Sequence, residues 1–144
     1  PVRVWGNGWR AMAGRHERLL IEKVPVYGDD LARVYGASAI NLAFLRKLNR
    51  DLQTCRTVEI PACGGFMLHE RTAEAASILE EDGQAAFFGD DSELVGKCRY
   101  WLAHPDERQR IAEAGYGRIR SGGFSHHDRL REILKAAETV PCAS

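Results

Sequence analysis

Short apolar runs alternate with amphipathic stretches along most of the chain, and this alternation constrains the fold more than any other feature of the sequence. Strands alternating with helices need crossover connections, which are right-handed and make the strands parallel. The pattern therefore predicts a Rossmann-like three-layer α/β sandwich with a parallel sheet of about five strands. The predicted strands are Val2–Trp5, Ile21–Val26, Ser38–Phe44, Phe66–Leu68 and Ala85–Phe88.

Helices are predicted between and after these strands. The strongest is Asp91 to Ala103, because its apolar residues recur at the spacing of one buried helix face and Asp90 with Glu93 resembles a capping box. Ser125 with Asp128 predicts a similar cap for the last helix. The other predicted helices run from Asp29 to Gly36, from Thr57 to Cys63 with Gly64-Gly65 as a C-cap, from Thr72 to Glu81, and from Pro105 to about Arg120.

Length and composition are those of one soluble domain. The chain has 144 residues, of which 44% are hydrophobic and 28% are charged. Basic and acidic residues both number 20, so bulk charge gives no argument for nucleic-acid binding. The charge is unevenly distributed, because residues 1–56 hold ten basic and five acidic residues while residues 70–93 hold eight acidic residues and one Arg. This asymmetry is typical of solvated faces, or it helps attract a phosphorylated ligand.

The cysteines and the apolar runs limit the cellular setting that we expect. Cys55, Cys63, Cys98 and Cys142 lack the spacing of a zinc site or a disulfide framework, so free thiols in a reducing cytoplasm are expected. No apolar run reaches the roughly 18 residues of a membrane span, although peripheral membrane association stays open. The chain opens directly on a strand-like run, so we interpret it as an internal piece of a longer protein.

A glycine-rich segment follows the first predicted strand. Residues 6–11 match G-x-G-x-x-[GA], the fingerprint of dinucleotide-binding domains. Glu22 follows at about half the spacing expected of a ribose-binding acid in that motif. One interpretation is therefore an NAD(P)-binding oxidoreductase domain. The other is a glycine turn that lets backbone approach a ligand.

A polar loop leads into a short predicted helix at residues 51–63. The start of a helix offers free N–H groups and a positive dipole end, which suit a phosphate. Arg56 lies just before this start and could fork a diphosphate. Glu59 lies one turn later, where it either accepts two ribose hydroxyls or stabilises its own helix. The residues alone favour neither of these two roles of Glu59.

Histidines offer a weaker signal. His69 follows a predicted buried strand at the ligand end of the sheet, so it either touches a phosphate or sugar hydroxyl or is a plain turn residue. The doublet His126-His127 has no acidic or histidine partner at metal-ligand spacing. We therefore expect no metal site.

The segment around Arg56 and Glu59 closely resembles a known family pattern. The chain is similar to the C-terminal domain of group 1, family 4-like glycosyltransferases, and in particular to the spore-maturation CgeB-like branch. The residues that carry the likeness are Arg56, Glu59 and the run Ala62-Cys63-Gly64-Gly65-Phe66, supported by Val24–Gly28, Tyr100–Arg108 and Ile111–Gly115.

The resemblance assigns roles to particular residues. It implies that Asp51, Arg56 and Glu59 are catalytic, with Arg56 on the diphosphate and Glu59 on the donor ribose. Asp51 stands where the family usually has the first Glu of an E-x7-E signature near the donor sugar, and its side chain is shorter than that Glu. The implied donor-binding residues are Gly6, Gly8, Pro25, Val26, Tyr27, Thr54, Thr57, Val58 and His69.

The resemblance also implies a fold and an activity. Residues 1–144 would form one nucleotide-sugar-binding domain, the C-terminal half of a GT-B fold, with C-terminal helices over residues 105–138. The enzyme would be a bacterial, cytoplasmic, hexosyltransferase-like transferase that retains configuration and needs no cofactor or metal. A missing N-terminal domain would supply a glycan, lipid or protein acceptor, so the fragment alone would be inactive. The alternatives are an NAD(P)-binding oxidoreductase domain, or a non-catalytic binding module of the same fold.

Overall fold

The computed structural model describes residues 1–22 and 24–139, and it shows two compact units, residues 1–34 and a second that begins at Tyr35. Lys23, inside the second predicted strand, and Cys142 lie outside the described residues. No helix in the described part of the chain is long and apolar enough to cross a membrane.

The first unit contains a small parallel sheet. Strand β1 (Val2–Val4) pairs with β2 (Leu19–Ile21), and a 3-10 turn at Arg10–Met12 lies between them. The second strand was predicted at Ile21–Val26, which is wrong for its later part, because Pro25 has no N–H for a strand ladder and the pairing with β1 ends at Ile21. Helix α1 (Gly28–Ala37) follows.

The second unit contains a three-stranded parallel sheet in the order β3-β4-β5, formed by Asn41–Ala43, Met67–Glu70 and Ala86–Phe88. Helices connect each strand to the next, as parallel pairing requires. The predicted Rossmann-like α/β class is confirmed. Within the described residues, the five strands are divided into a pair and a triplet.

Helices cover both faces of the three-stranded sheet. Met67 and Phe87 lie in one buried cluster with residues of α2, α3 and α5, and Leu68 and Phe88 lie in a second with residues of α4 and α5. Helix α5 contributes to both, through Ile119 in the first cluster and Ile111 and Ala112 in the second. The helices are α2 (Arg56–Ala62), α3 (Ala73–Ile78), α4 (Asp91–Ala103), α5 (Pro105–Ser121) and α6 (His126–Thr139).

The predicted helix caps are present. Asp90 accepts from the Glu93 N–H at 2.8 Å, and Ser125 and Asp128 bond each other's backbone N–H groups at 3.1 and 3.3 Å. The helix that follows Thr72 ends at Ile78, three residues before the predicted Glu81. These caps fix helix starts through contacts within four residues of sequence.

The Gly64-Gly65 pair ends α2 as predicted, in a Schellman motif. Gly64 takes the left-handed backbone conformation with φ of 73° and donates to Pro61 O at 2.9 Å. Gly65 donates to Ile60 O at 3.1 Å. These two bonds satisfy carbonyls that the helix end would otherwise leave unpaired.

Candidate functional site

The candidate site lies where β3 and β4 end and α2 begins, which is the edge at which parallel α/β sheets bind ligands. A long loop, residues 44–55, leads from β3 to α2. The Leu45 N–H donates to Glu70 Oε2 at 3.1 Å, and Thr72 Oγ1 donates to Leu52 O at 2.6 Å. The loop is therefore held at two points, by Glu70 at the end of β4 and by Thr72 at the start of α3.

A chain of hydrogen bonds fixes the first turn of α2. The Thr54 N–H donates to Thr57 Oγ1 at 3.3 Å, Thr57 Oγ1 lies 3.0 Å from His69 Nε2, and His69 Nδ1 lies 2.5 Å from Glu70 O. A carbonyl oxygen only accepts, so His69 Nδ1 carries the proton. The neutral ring then accepts at Nε2, and the Thr57 hydroxyl donates to it.

His69 is fully buried, and both of its ring nitrogens are occupied. Burial lowers the pKa of its imidazole, and this effect exceeds the opposing bond to the Glu70 carbonyl and the opposing charge of Glu70. The predicted contact between His69 and a donor phosphate or hydroxyl does not fit this geometry, because no ring atom faces solvent. In this structure His69 positions Thr57 instead. The apolar run was expected to end at Leu68, but β4 extends through His69.

We expect the unfolding free energy to decrease as the pH falls below 6.5, the ordinary pKa of histidine. The folded-state pKa of His69 is lower, so in this window the unfolded chain binds a proton that the folded chain does not. The contribution of His69 to stability is fully present above pH 6.5 and is lost as the pH falls towards the folded-state pKa. The unfolding free energy changes in this window by at most about 1.4 kcal/mol per pH unit. Urea unfolding between pH 5 and 8 measures it.

The matched pair for this test is His69→Gln and His126→Gln. His126 is exposed at the start of α6, so its replacement should leave the slope unchanged. His69→Gln should lower stability at every pH, because it disrupts buried hydrogen bonds, and should flatten the pH dependence. A slope that survives in His69→Gln would show that another group takes up the proton.

The N–H groups at the start of α2 are partly used by the chain itself. Thr57 N donates to Thr54 O at 3.0 Å, and Val58 N donates to Cys55 O at 3.1 Å. Two N–H groups at the helix start, those of Cys55 and Arg56, make no hydrogen bond to another backbone group of the described residues. The helix has only seven residues, so its dipole is small. Binding of an anion here would depend mainly on side chains.

Arg56 and Glu59 are both exposed and lie three residues apart, which places them on the same side of the helix. Arg56 hydrogen-bonds the phenol of Tyr35, and the charge of Glu59 acts on the same phenol, a neighbour that the sequence did not predict. Burial raises the pKa of Tyr35 and the charge of Glu59 adds to it, while Arg56 opposes them. The structure thus brings together a guanidinium, a carboxylate and a half-buried phenol. Nothing local to Tyr35 in the sequence marked it.

Asp51 and Thr54 complete the loop before α2. Asp51 is half-buried, and its backbone N lies 3.5 Å from the carbonyl oxygen of Arg46. Thr54 Oγ1 is buried and has no hydrogen-bond partner among the described residues. A buried hydroxyl without a partner is costly, so it marks Thr54 as a point where a ligand atom or a water would be stabilising.

Comparison with known proteins identifies the family. Residues 1–135 match the family model described as glycosyl transferase-like. The chain belongs to this glycosyl transferase-like family. The crystal structure of a glycosyltransferase from Rickettsia africae ESF-5 has a similar fold, with a TM-score of 0.65 and 18% identity over 89% of this chain. The chain spans 33% of that protein, and no curated protein matches it.

In this glycosyl transferase-like chain, the glycine segment after β1 does not form a dinucleotide fingerprint. Gly6 and Gly8 have φ of 120° and 90°, and no other atom would lie within 4 Å of an added Cβ. The segment leads to the 3-10 turn at Arg10–Met12, whereas the fingerprint needs an α-helix whose N-terminus meets the pyrophosphate. The NAD(P)-binding interpretation is therefore disfavoured.

The other predicted donor-binding residues of the first unit lie just before α1. Pro25 and Val26 are half-buried and Tyr27 is exposed.

Cys55, Cys63 and Cys98 are free thiols. Among the residues that the structure describes, no group of three or more His, Cys, Asp or Glu side chains is placed to hold a metal ion.

Proposed function

We propose that this chain is the donor-binding domain of a GT-B, group 1 glycosyltransferase of the CgeB-like branch, and that it binds a nucleoside-diphosphate sugar. The observation that carries the proposal is the first turn of α2. It leaves Arg56 and Glu59 exposed together, and the buried Thr57–His69 pair holds the turn in place. Family membership supports a transferase.

Arg56 is proposed to bind the diphosphate. When the glycosidic bond to the donor phosphate breaks, negative charge grows on the departing nucleoside diphosphate. A guanidinium held beside it stabilises that charge without a metal ion. The Cys55 and Arg56 N–H groups add donors to the same anion, and Thr54 and Thr57 shape the loop that carries them.

Glu59 is proposed to bind the ribose, because one carboxylate accepts hydrogen bonds from two adjacent hydroxyls. Asp51 would lie nearer the transferred sugar, where relatives of the proposed branch have Glu. Val58 is proposed to contact the diphosphate together with Thr54 and Thr57. Gly6, Gly8, Pro25, Val26 and Tyr27 are proposed as further donor-binding residues. His69 is proposed as a positioning residue for Thr57.

Several properties of the whole enzyme follow from the proposed family branch. The reaction would retain anomeric configuration, need no metal, and take place in the cytoplasm. The acceptor, whether glycan, lipid or protein, would bind outside this chain. The chain alone would then bind donor without transferring sugar.

The test is the thermal stability of the chain with UDP, GDP, ADP or NAD. We expect one nucleoside diphosphate to raise the melting temperature, because a ligand at about 100 times its Kd stabilises the folded state by about 2.7 kcal/mol. NAD should have no effect. Glu59→Gln should weaken the affinity at least tenfold, since hydrogen bonds to a charged group contribute about 1.5–3 kcal/mol. Isothermal titration measures the change.

The control is Asp91→Asn, because Asp91 is likewise an exposed acid in the first turn of a helix. It should lower stability slightly and leave nucleotide affinity unchanged. If Glu59→Gln behaves like Asp91→Asn, Glu59 serves only its own helix. Stabilisation by NAD alone would favour an oxidoreductase domain, and a chain indifferent to every nucleotide would favour a non-catalytic module.

A further inference from the structure

The first part of the loop between β3 and α2 exposes apolar side chains. We call residues 44–52 the β3–α2 arm. Leu48 is 94% exposed, and Phe44 and Leu52 are each more than half exposed. The three positions lie four residues apart, within a single nine-residue segment. Isolated exposed leucines are ordinary on protein surfaces, but three large apolar residues in one short segment call for an explanation.

The arm is an ordered element of the fold. A 3-10 turn at Lys47–Asn49 forms its tip, where Asn49 N donates to Arg46 O at 3.1 Å and Arg50 N donates to Lys47 O at 3.2 Å. Its two ends are held by the bonds to Glu70 and Thr72 described above. Leu48 is therefore presented to solvent by a turn anchored on both sides.

Positive charge surrounds the exposed leucine. Arg46, Lys47 and Arg50 flank Leu48, and the one acid of the arm is Asp51, so the arm carries a formal charge of +2. Lys47 forms a long ion pair with Glu70, at 3.8 Å, and its side chain stays 88% exposed. The chain as a whole is neutral, so this concentration of charge is a local property of the arm.

We propose that the β3–α2 arm docks the protein on an anionic lipid bilayer, with Leu48 inserted at the interface and the three cations against the headgroups. Charge complementarity selects this partner, because a cationic surface with an apolar centre matches anionic headgroups above hydrocarbon. A nucleotide phosphate would explain the cations but not Leu48. This inference goes beyond the proposed function and does not depend on it.

The test is co-sedimentation of the chain with lipid vesicles. One set contains phosphatidylcholine alone, and the other has about a third of its lipid replaced by phosphatidylglycerol. We expect binding to the anionic vesicles only, and weaker binding at high salt, since salt screens exposed charges. Leu48→Ser should weaken the partition about tenfold, and Lys47→Gln about fivefold.

The control is Leu102→Ser, because Leu102 is 61% exposed on α4, outside the arm. It should bind anionic vesicles like the unchanged chain. Absence of vesicle binding, or equal binding by Leu48→Ser, would overturn the proposal. So would a concentration-dependent dimer that Leu48→Ser abolishes, since the arm would then contact a second copy.

A nucleotide measurement separates this proposal from the preceding one. Leu48→Ser should keep any stabilisation by a nucleoside diphosphate, since Leu48 is not among the donor-binding residues. Loss of nucleotide binding in Leu48→Ser, with vesicle binding intact, would assign Leu48 to the donor site and overturn membrane docking. Vesicle binding without any nucleotide response would support docking while the proposed function fails.

Discussion

Gly115→Ala should destabilise the protein by about 3 kcal/mol or more, at the upper end of the cost of overpacking a core. Gly115 is buried in α5, and a Cβ there would clash with the carbonyl oxygen of Gln84 and lie 3.4 Å from Pro61 Cβ. The Gln84 carbonyl cannot retreat easily, because Gln84 N and Ala85 N both donate to Glu80 O in the same tight turn. Urea unfolding measures the loss.

Gly117→Ala is the matched control in the same helix. A Cβ at Gly117 would meet no atom within 4 Å, and the position is exposed. Alanine in a helix interior is more favourable than glycine by about 0.5–1 kcal/mol, so this variant should be more stable than the unchanged chain. Equal stability of the two variants would mean that α5 does not approach the turn before β5 this closely.

Gly65→Ala should cost about 2 kcal/mol or more, because the methyl group would enter a buried polar contact. Its Cβ would lie 2.7 Å from Tyr35 O and 2.8 Å from Asn41 Nδ2. That amide donates to Tyr35 O at 3.0 Å and to Phe66 O at 3.1 Å. Displacing it leaves buried polar groups without partners, which costs about 1–3 kcal/mol in addition to the steric strain.

The adjacent variant Gly64→Ala is the control that separates the cost of backbone conformation from the cost of a steric clash. Gly64 has φ of 73° but open space around an added Cβ, so alanine should cost only the left-handed backbone penalty of about 1–2 kcal/mol. Combining Gly65→Ala with Asn41→Ala should cost less than the sum of the two single changes, because the clash and the lost bonds involve the same amide. Additive costs would place the strain of Gly65→Ala elsewhere.

Features set by neighbouring residues were predicted well from sequence. The bounds of α4 and the start of α5 agree with prediction, because Asp90 with Glu93 and Pro105 act within one turn. The C-cap at Gly64-Gly65 is likewise local. The alternation of strands and helices was enough to predict the α/β class, since it dictates parallel pairing.

Features set by distant residues were not predictable in the same way. β2 lies earlier than expected because its position depends on pairing with β1. His69 belongs to β4 because it pairs with Phe87 in the neighbouring strand, and this extension buries the ring. Tyr35 lies near the charges of Arg56 and Glu59 through tertiary packing. In the candidate site, the placement of Arg56 and Glu59 on one short helix was thus predictable from sequence, whereas the groups that surround them were not.

Helix α5 packs against both hydrophobic clusters of the three-stranded sheet. The helices on one face of the sheet cannot separate from it without loss of contacts on the other face, because α5 belongs to both layers. Local opening of one face would expose apolar surface on the other as well, which penalises partly open states. The second unit should accordingly open and close as one cooperative body, with α5 among its last segments to exchange amide protons.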